Sequence, residues 1–268
     1  MNHQTFLPFT KITACGNDYL YLDCLTVPPP SDPSSLAVRL SERHFGIGAD
    51  GIVLILPSRR ADVGMRIFNA DGSEGLMCGN AARSVGFLLA RQDFADRDSF
   101  SLETVSGIRR VIINRDPCLT VSVDMGIPFL LPARYVKIGE RSIPFRFVSL
   151  GNPHAVFLAD DCRPLSVTDL GREMNFSPQF PSGINVERVS IFGENAVKAE
   201  VFERGSGLTL SCGSGACAAA AVFFEKQGLC GGEVDVLMPG GKLTVSMQAD
   251  HFFLSGEVCP LFSGKFYL

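Results

Sequence analysis

The stretch "MCGNAARSVG" (residues 77–86) sets a cysteine before two small turn residues and a run with helical spacing. Ala82, Val85 and Leu89 recur at three- and four-residue intervals, which predicts a helix that begins just after Cys78. The first N–H groups of a helix have no partner within it, and together with the helix dipole they bind anions. Such a corner favours thiolate, so we expect the pKa of the Cys78 thiol to fall from ~8.5 towards neutrality.

A second corner of the same kind stands in "SCGSGACAAA" (211–220), where Cys212 follows Cys78 by 134 residues. Apolar residues at helical spacing come after it, and Gly228 predicts where that helix stops. Further pairs match in the same order at an offset of 134 or 135, namely Gly16-Asn17 with Gly151-Asn152, Gly48 with Gly183, Asp50 with Asn185 and Gly107 with Gly241.

The repeat predicts two homologous domains, 1–126 and 127–258, with a short tail, 259–268, that pairs back onto the first. In each domain two strands precede a third strand that runs into the cysteine turn, as in 65–78 and 198–212, and a helix and further strands follow. The pattern indicates an α/β fold, α+β mixed. We expect two pseudo-symmetric domains, each a curved mixed sheet around a central helix, with the active site in the interdomain cleft.

Composition narrows the function class. The chain has 268 residues and a net charge of −4, and its basic residues are scattered, which argues against nucleic acid as a partner. No run approaches the ~20 apolar residues of a membrane helix, and the start lacks a signal-peptide pattern. Nine scattered cysteines indicate a reducing, cytoplasmic setting, and without CxxC pairs or histidine spacing we expect no metal.

Two thiol corners, one per domain, favour one reaction class. A carboxylate held by both helix ends would have a thiol on either face of the adjacent carbon. One thiolate could remove a proton and the opposite thiol could deliver another, which inverts the stereocentre. A single cysteine is most often a small buried hydrophobe, and that interpretation fits the other seven. These are Cys15, Cys24, Cys118, Cys162, Cys217, Cys230 and Cys259.

Several motifs together resemble the diaminopimelate epimerase family over nearly the whole chain. The resemblance implies the cofactor-independent, PLP-free epimerisation of LL-2,6-diaminopimelate to the meso form, in lysine and peptidoglycan precursor biosynthesis. It implies a small-molecule substrate and leaves a homodimer open. The motifs are "KITACGNDY" (11–19), "RHFGIGADG" (43–51), "FNADGSEGLMCGN" (68–80), "GNPHAV" (151–156), "NV" (185–186), "ERGSG" (203–207) and "CGSGACA" (212–218).

The resemblance also implies roles for individual residues. Cys78 and Cys212 would be the catalytic bases, the first donating and the second accepting a proton from LL to meso. His154 and Glu203 would modulate the pKa of the thiols. The reacting carboxylate would be bound by the backbone at Gly79, Asn80, Gly213 and Ser214. The remaining substrate contacts would come from Asn17, Asn69, Asn152, Asn185, Glu203 and Arg204, with Arg204 on the distal carboxylate.

Some of these residues have a structural alternative. Asn69 and Asn152 stand beside turn residues and could cap turns. His154 could be a structural hydrogen-bonding residue and Arg204 a surface residue. These alternatives stay open at the level of sequence.

Three positions depart from the family pattern. Ala81 replaces a glycine, and it is harmless if it lies in a first helical turn. Leu208 replaces a glutamate and so removes a charge near Cys212. Gly51 stands where some relatives have a glutamine that contacts substrate.

Two other function classes compete with this interpretation. A cofactor-independent racemase acting on proline, hydroxyproline or histidine would share the thiols but would need a smaller, less polar pocket. A non-catalytic amino-acid-binding relative would have no need of a thiol in both domains. The polar residues expected at the distal end of the substrate favour the epimerase.

Overall fold

The computed structural model describes residues 6–92, 94 and 96–267. The chain forms two compact units. The first runs to Val123 and takes in the chain again from Gly256, and the second is Asp124–Ser255. Homologous domains that end at residues 126 and 258 stay a prediction.

The first unit surrounds one helix with strands and carries a shorter helix. Its elements are β1 (Phe6–Ala14), β2 (Asn17–Asp23), α1 (Pro33–Ser41), β3 (Gly51–Leu56), β4 (Val63–Asn69), β5 (Glu74–Gly75), α2 (Gly79–Ala90), β6 (Ser99–Thr104), β7 (Gly107–Asn114), β8 (Thr120–Gly126) and β19 (Cys259–Tyr267).

The elements of the second unit are β9 (Phe129–Leu130), β10 (Arg134–Ile138), β11 (Arg141–Ser149), β12 (Pro153–Leu158), α3 (Val167–Phe176), β13 (Asn185–Ile191), β14 (Ala196–Glu203), β15 (Gly207–Thr209), α4 (Gly213–Gln227), β16 (Gly232–Met238), β17 (Gly241–Gln248) and β18 (His251–Gly256). From β11 onward the second unit repeats the order of elements that the first has from β1 to β8, and β9 and β10 precede that repeat.

Strand pairing repeats between the units. In the first, β1–β2 is antiparallel, β2–β3 parallel, β3–β4 antiparallel and β4–β6 parallel. In the second, β11–β12, β12–β13, β13–β14 and β14–β16 follow the same sequence of orientations. The predicted mixed α/β fold with internal pseudo-symmetry is therefore confirmed. The outer partner differs, because β1 pairs with the tail strand β19 and β11 pairs with β10.

The helices that follow the cysteines form as the spacing predicts. In α2 the side chains of Ala82, Val85 and Leu89 are all buried. In α4 the run from Ala216 through Phe224 is buried on every side, so this helix lies inside its unit and packs against β13 and β14. It ends where Gly228 adopts a left-handed φ of 65°, which a glycine accommodates without strain.

Two features of the chain were not anticipated from its sequence. Helices α1 and α3 were not predicted. Their N-terminal signals are nevertheless present in the sequence, as Asp32 before Pro33 and as the Ser166–Asp169 capping box.

The single strand expected over 65–78 is wrong, as is its counterpart over 198–212. Each is a hairpin, because turn residues such as Gly72 (φ 84°) reverse the chain and β5 and β15 pair back on β4 and β14.

None of the helices in the described part of the chain is long and apolar enough to cross a membrane.

Gly86 tests how tightly α2 packs on its sheet. A Cβ at this position would lie 2.7 Å from a methyl of Val121 and 2.8 Å from one of Val111. Alanine gains about 1 kcal/mol of helix propensity over glycine, but overpacking costs roughly 1–3 kcal/mol. We expect Gly86→Ala to lower the free energy of unfolding by about 1 kcal/mol in urea titration.

The matched comparison is Gly86→Ala combined with Val121→Ala, which removes the facing methyls. We expect the double variant to be more stable than the sum of the two single effects predicts. A stabilised Gly86→Ala single variant would contradict the tight packing.

Candidate functional site

Cys78 is the N-cap residue of α2, with extended backbone at φ −137° and ψ 118°. Its Sγ accepts a hydrogen bond from the Ala81 amide at 3.5 Å, and its carbonyl accepts one from the Ala82 amide at 2.9 Å. Cysteine thus takes the place that serine or aspartate usually occupies at a helix start. Gly79 and Asn80 are the first two residues of the helix, and both are buried.

Cys212 caps α4 in the same way, at φ −139° and ψ 120°. Its Sγ accepts from the Gly215 amide at 3.4 Å, and Gly213 and Ser214 begin the helix. The two corners therefore repeat in backbone angles and in the thiol contact as well as in sequence. Cys212 is 7% exposed, whereas Cys78 is half-buried.

Among the residues predicted to bind substrate, Asn17 contacts the Cys78 thiol. The Cys78 thiol donates to Asn17 Oδ1 at 3.4 Å, and Asn17 Nδ2 donates to Asp50 Oδ2 at 2.6 Å. Asp50 was paired with Asn185 by the repeat but not recognised as a neighbour of the site. The bond to Asp50 fixes the amide so that its oxygen faces the thiol.

The two other asparagines predicted for this unit have different surroundings. Asn80 is 2% exposed, and its Oδ1 accepts from Arg83 Nη2 at 2.6 Å. Asn69 lies in the β4–β5 hairpin, where its Nδ2 donates to Ser73 Oγ at 3.0 Å. The Asn69 contact is the turn arrangement that was left open as the structural alternative.

In the second unit Asn152 reaches the thiol through a serine. Asn152 Nδ2 donates to Ser214 Oγ at 3.1 Å, and that oxygen lies 3.5 Å from Cys212 Sγ. The structure therefore brings Asn152, Ser214 and Cys212 together. Because the Asn152 amide donates to it, the hydroxyl can accept from the thiol or donate to a thiolate, so it can follow a change in charge on the sulfur.

Glu203 contacts the same thiol from β14. The Cys212 thiol donates to the carboxylate, and Thr209 Oγ1 donates to Glu203 Oε1 at 2.7 Å. Burial raises the pKa of Glu203 above its usual value. Glu203 is thus a carboxylate in contact with a thiol proton, with a raised affinity for protons.

The electrostatics of Cys212 overturn one expectation. A corner at a helix start was expected to lower the pKa of its thiol. Burial, followed by the negative charges of Glu203 and Glu187, instead raises the pKa of Cys212 well above the usual thiol value. The contact with the Gly215 amide acts in the opposite direction but is outweighed.

His154 forms a buried pair that the motifs did not reveal. Its Nδ1 lies 2.7 Å from Glu187 Oε1, and both side chains are 0% exposed. Within the described residues, His154 Nε2 and Glu187 Oε2 have no hydrogen-bond partner. Glu187 could have been found from "NVERVSI" (185–191), whose alternation puts residue 187 on the same face as Asn185.

Arg204 and Asn185 are joined through the backbone. Asn185 Oδ1 accepts from the Arg204 amide at 2.9 Å, and Arg204 Nη1 donates to the Ser182 carbonyl at 3.1 Å. Arg204 is exposed in the turn after β14. Asn185 therefore fixes the turn that presents the guanidinium.

The three departures from the family pattern now have a structural account. Ala81 lies in the first turn of α2 and has no positive φ, so the harmless interpretation is confirmed. A Cβ on Gly51 would lie 2.1 Å from the Phe68 carbonyl, so the close pairing of β3 and β4 excludes a side chain there. Leu208 is exposed on β15, and the hydroxyl of Thr209 supports Glu203 beside it.

Across residues 6–92, 94 and 96–267, no group of three or more His, Cys, Asp or Glu side chains is arranged to hold a metal ion.

Comparison with known sequences decides the family. A family model described as Diaminopimelate epimerase matches residues 9–131 and 146–258. Relatives named "Diaminopimelate epimerase" from Desulfovibrio desulfuricans and Bacteroides thetaiotaomicron are each 38% identical to this chain. The alignments cover 98% and 97% of this chain and 99% and 98% of the relatives. The chain belongs to the diaminopimelate epimerase family.

Solved structures support the fold of this family member. A Bacillus anthracis phenazine biosynthesis protein of the PhzF family has a TM-score of 0.75 at 15% identity, covering 98% of this chain and 100% of that one. A hydroxyproline epimerase from Agrobacterium vitis has a TM-score of 0.71 at 17% identity, covering 100% and 94%. At these identities the likeness concerns fold alone.

Membership of the diaminopimelate epimerase family makes the chain an isomerase. The resemblance given by its motifs is thereby confirmed. The roles of the individual site residues stay predictions, and the contacts described above supply the physical basis on which they can be tested.

Glu203→Gln tests the electrostatic account of the second corner. Removing the carboxylate removes a negative charge that raises the pKa of Cys212, so more thiolate should form at a given pH. We expect the midpoint for alkylation of Cys212, followed by peptide mass spectrometry across pH, to fall by about one pH unit.

Glu200→Gln is the matched control, because Glu200 lies on the same strand but pairs with Arg188 at 3.2 Å. An unchanged or higher midpoint in Glu203→Gln would show that the carboxylate charge does not act on the thiol.

Proposed function

We propose that this chain interconverts LL-2,6-diaminopimelate and meso-diaminopimelate by passing a proton between the substrate α-carbon and two cysteine thiols. The observation that carries the proposal is the duplicated corner, in which Cys78 and Cys212 cap equivalent helices. The names of the relatives indicate the substrate. Inversion needs a base on one face of the carbon and an acid on the other, and a duplicated thiol supplies one group for each role.

The helix starts provide the binding site for the reacting carboxylate. Backbone amides at the N-terminus of a helix attract an anion, and here they belong to small residues. Gly79 and Gly213 leave room for a close approach to the backbone. A carboxylate held in this way fixes the adjacent α-carbon beside the sulfur, and its charge is balanced as the carbon loses a proton.

The proton balance at Cys212 follows from its contacts. In the LL-to-meso direction Cys212 has to accept the substrate proton, so it must first lose its own. Glu203 accepts the hydrogen bond of that thiol and takes the proton, which leaves a thiolate and a neutral carboxylic acid. The thiolate then removes the α-proton, and the Cys78 thiol delivers its proton to the opposite face and becomes a thiolate. After the product leaves, Glu203 loses its proton to solvent and Cys78 gains one, which restores the starting state.

The raised pKa values of Cys212 and Glu203 suit this transfer of a proton between them. Burial, and then the negative charges of Glu203 and Glu187, disfavour a thiolate on Cys212. Protonation of Glu203 removes one of those charges at the moment at which the thiolate forms. Thiol and carboxylate therefore share a single proton, and the Cys212 thiolate is a strong base once it forms because the pKa of its thiol is raised.

Arg204 provides specificity for the distal end of the substrate. Its planar guanidinium can bind a carboxylate through two parallel hydrogen bonds, and Asn185 fixes the turn that carries it. Proline, hydroxyproline and histidine have no second amino-carboxylate group. They would leave Arg204 without the partner that this arrangement is suited to bind.

The cellular compartment follows from the need of the reaction for reduced thiols. We place the enzyme in the cytoplasm, because none of the described cysteines forms a disulfide and its mechanism needs reduced thiols. Its product is a precursor for lysine and peptidoglycan synthesis.

Cys78→Ala and Cys212→Ala test the two-thiol mechanism. Each variant lacks one of the two proton-transfer groups, so we expect kcat for LL-diaminopimelate to fall by at least about 10²-fold in either variant. Circular dichroism should show an intact fold. Cys230→Ala, at an exposed cysteine, serves as the control and should retain turnover. Near-normal turnover in either site variant would contradict the mechanism.

A substrate panel for the unmodified enzyme separates the candidate activities. Inversion of LL-diaminopimelate, with little or none for proline, hydroxyproline, histidine and lysine, supports the proposal. Preferred inversion of proline or histidine would establish the related racemase instead. Binding of diaminopimelate without inversion would establish an amino-acid-binding relative.

A further inference from the structure

A tight hairpin turn fixes the position of Asn17 beside Cys78. Cys15 and Gly16 form the two-residue turn between β1 and β2, with φ of 55° and 82°. Positive φ at both central residues is typical of the favoured two-residue hairpin turn. Asn17 is the first residue of β2 and pairs with Ala14 across the ladder, and its side chain reaches the start of α2.

The two ends of the Asn17 side chain have partners of opposite kind. Its Nδ2 donates to Asp50 Oδ2 at 2.6 Å, and its Oδ1 lies 3.4 Å from Cys78 Sγ. An ionised carboxylate can only accept hydrogen bonds, so the nitrogen of the amide has to face Asp50. The amide oxygen, which is also an acceptor only, is thereby turned to the sulfur. It matches a thiol, which has a proton to donate, and does not match a thiolate.

Backbone hydrogen bonds hold Asp50 in place. Its amide donates to the Asp18 carbonyl at 2.8 Å, and its carbonyl accepts from the Ala70 amide at 2.9 Å. Its Oδ2 accepts from the Asp18 amide at 3.0 Å, which fixes the direction of the carboxylate relative to β2. The Tyr19 phenol also hydrogen-bonds the Asn17 side chain. A phenol can donate or accept, so it is compatible with either orientation of the amide, whereas the carboxylate selects one.

The second corner presents its asparagine in the opposite sense. Asn152, which the repeat pairs with Asn17, donates through Nδ2 to Ser214 Oγ at 3.1 Å, and that hydroxyl can donate to a thiolate. Asn185, which the repeat pairs with Asp50, accepts instead from a backbone amide in the turn after β14. An acceptor therefore faces the sulfur of the first corner, whereas a donor can face the sulfur of the second.

We infer that Asp50 is a positioning residue, which turns the Asn17 amide so that its oxygen faces Cys78 and keeps that sulfur protonated. Asp50 acts through Asn17 and needs no contact with the substrate. Its role in turnover rests on the proposed function, in which Cys78 delivers a proton in the LL-to-meso direction. The orientation of the amide holds Cys78 in the protonated form that this step requires, while the hydroxyl at the second corner can stabilise the thiolate that forms there.

Other ionisable groups lie on the elements around the first corner. They are Tyr19 and Tyr21 on β2, the Lys11–Asp18 ion pair between β1 and β2, and Arg83 on α2. Burial raises the pKa of both tyrosines, so their phenols stay neutral. Arg83 interacts with Cys15 as well as with Cys78. Substitutions at Asp50 leave all of these groups in place, so a difference between such variants reports on the carboxylate and the amide that it holds.

Substitutions of Asp50 test the inference without any turnover. In Asp50→Ala the amide is released and can turn its nitrogen to the sulfur, where it donates to a thiolate. We expect the pH midpoint for iodoacetamide alkylation of Cys78, followed by peptide mass spectrometry, to fall by about one pH unit, which is tenfold more thiolate below both midpoints. Asp50 is exposed, so its replacement removes no core packing. Asp50→Ser, whose hydroxyl is one bond shorter than the carboxylate, carries the same expectation.

Asp50→Asn is the matched control, because it removes the charge and keeps an oxygen. That oxygen can accept from the Asp18 amide and from Asn17 Nδ2, as Asp50 Oδ2 does, so the orientation of the Asn17 amide is retained. We expect Asp50→Asn to keep most of the Cys78 midpoint of the unmodified enzyme. In an Asn17→Ala background, Asp50→Ala should cause little further shift, because the group through which Asp50 acts is gone.

Three results would overturn the inference. The first is a Cys78 midpoint that is unchanged or higher in Asp50→Ala and Asp50→Ser. The second is an equal fall in Asp50→Asn, which would assign the effect to charge alone. The third is an undiminished fall in the Asn17→Ala background. Absence of diaminopimelate inversion alongside the expected midpoints would contradict the proposed function and leave the role of Asp50 standing.

Discussion

The contact between a cysteine sulfur and the amide three residues further along the chain is the constraint on which the site depends. It appears at 3.5 Å for Cys78 and at 3.4 Å for Cys212, and in both cases it fixes the thiol at the start of a helix. Because the cysteine is itself the cap, the sulfur cannot leave the anion-binding end of the helix without uncapping it. The same hydrogen bond therefore caps the helix and holds the thiol in place.

Much of this arrangement could be predicted from the sequence, because it is local. Cys78 and Cys212 with the apolar spacing behind them predict two capped helices, and the repeat predicts two related units. The charges at the corners could not be predicted in the same way. Glu187 comes from a strand distant in sequence, and burial of Cys212 reverses the pKa shift expected of a helix start. Helix α3, in contrast, was missed despite its local capping signal.

Duplication gives the two thiols the same backbone setting, while the side chains around them differ. The fold repeats the corner, and substitutions around it then set the charge. Buried Arg83 lies on the helix that Cys78 caps and interacts with Cys15 and then with Cys78, whereas burial and the charges of Glu203 and Glu187 act on Cys212.

The position of solvent deuterium tests the two-thiol account most directly. LL-diaminopimelate is incubated with the enzyme in deuterated water, and both isomers are analysed at low conversion. Two separate groups predict deuterium at the inverted α-carbon of the meso product and almost none in the recovered LL substrate. Comparable deuterium in product and recovered substrate would show that a single base serves both faces, which contradicts the account.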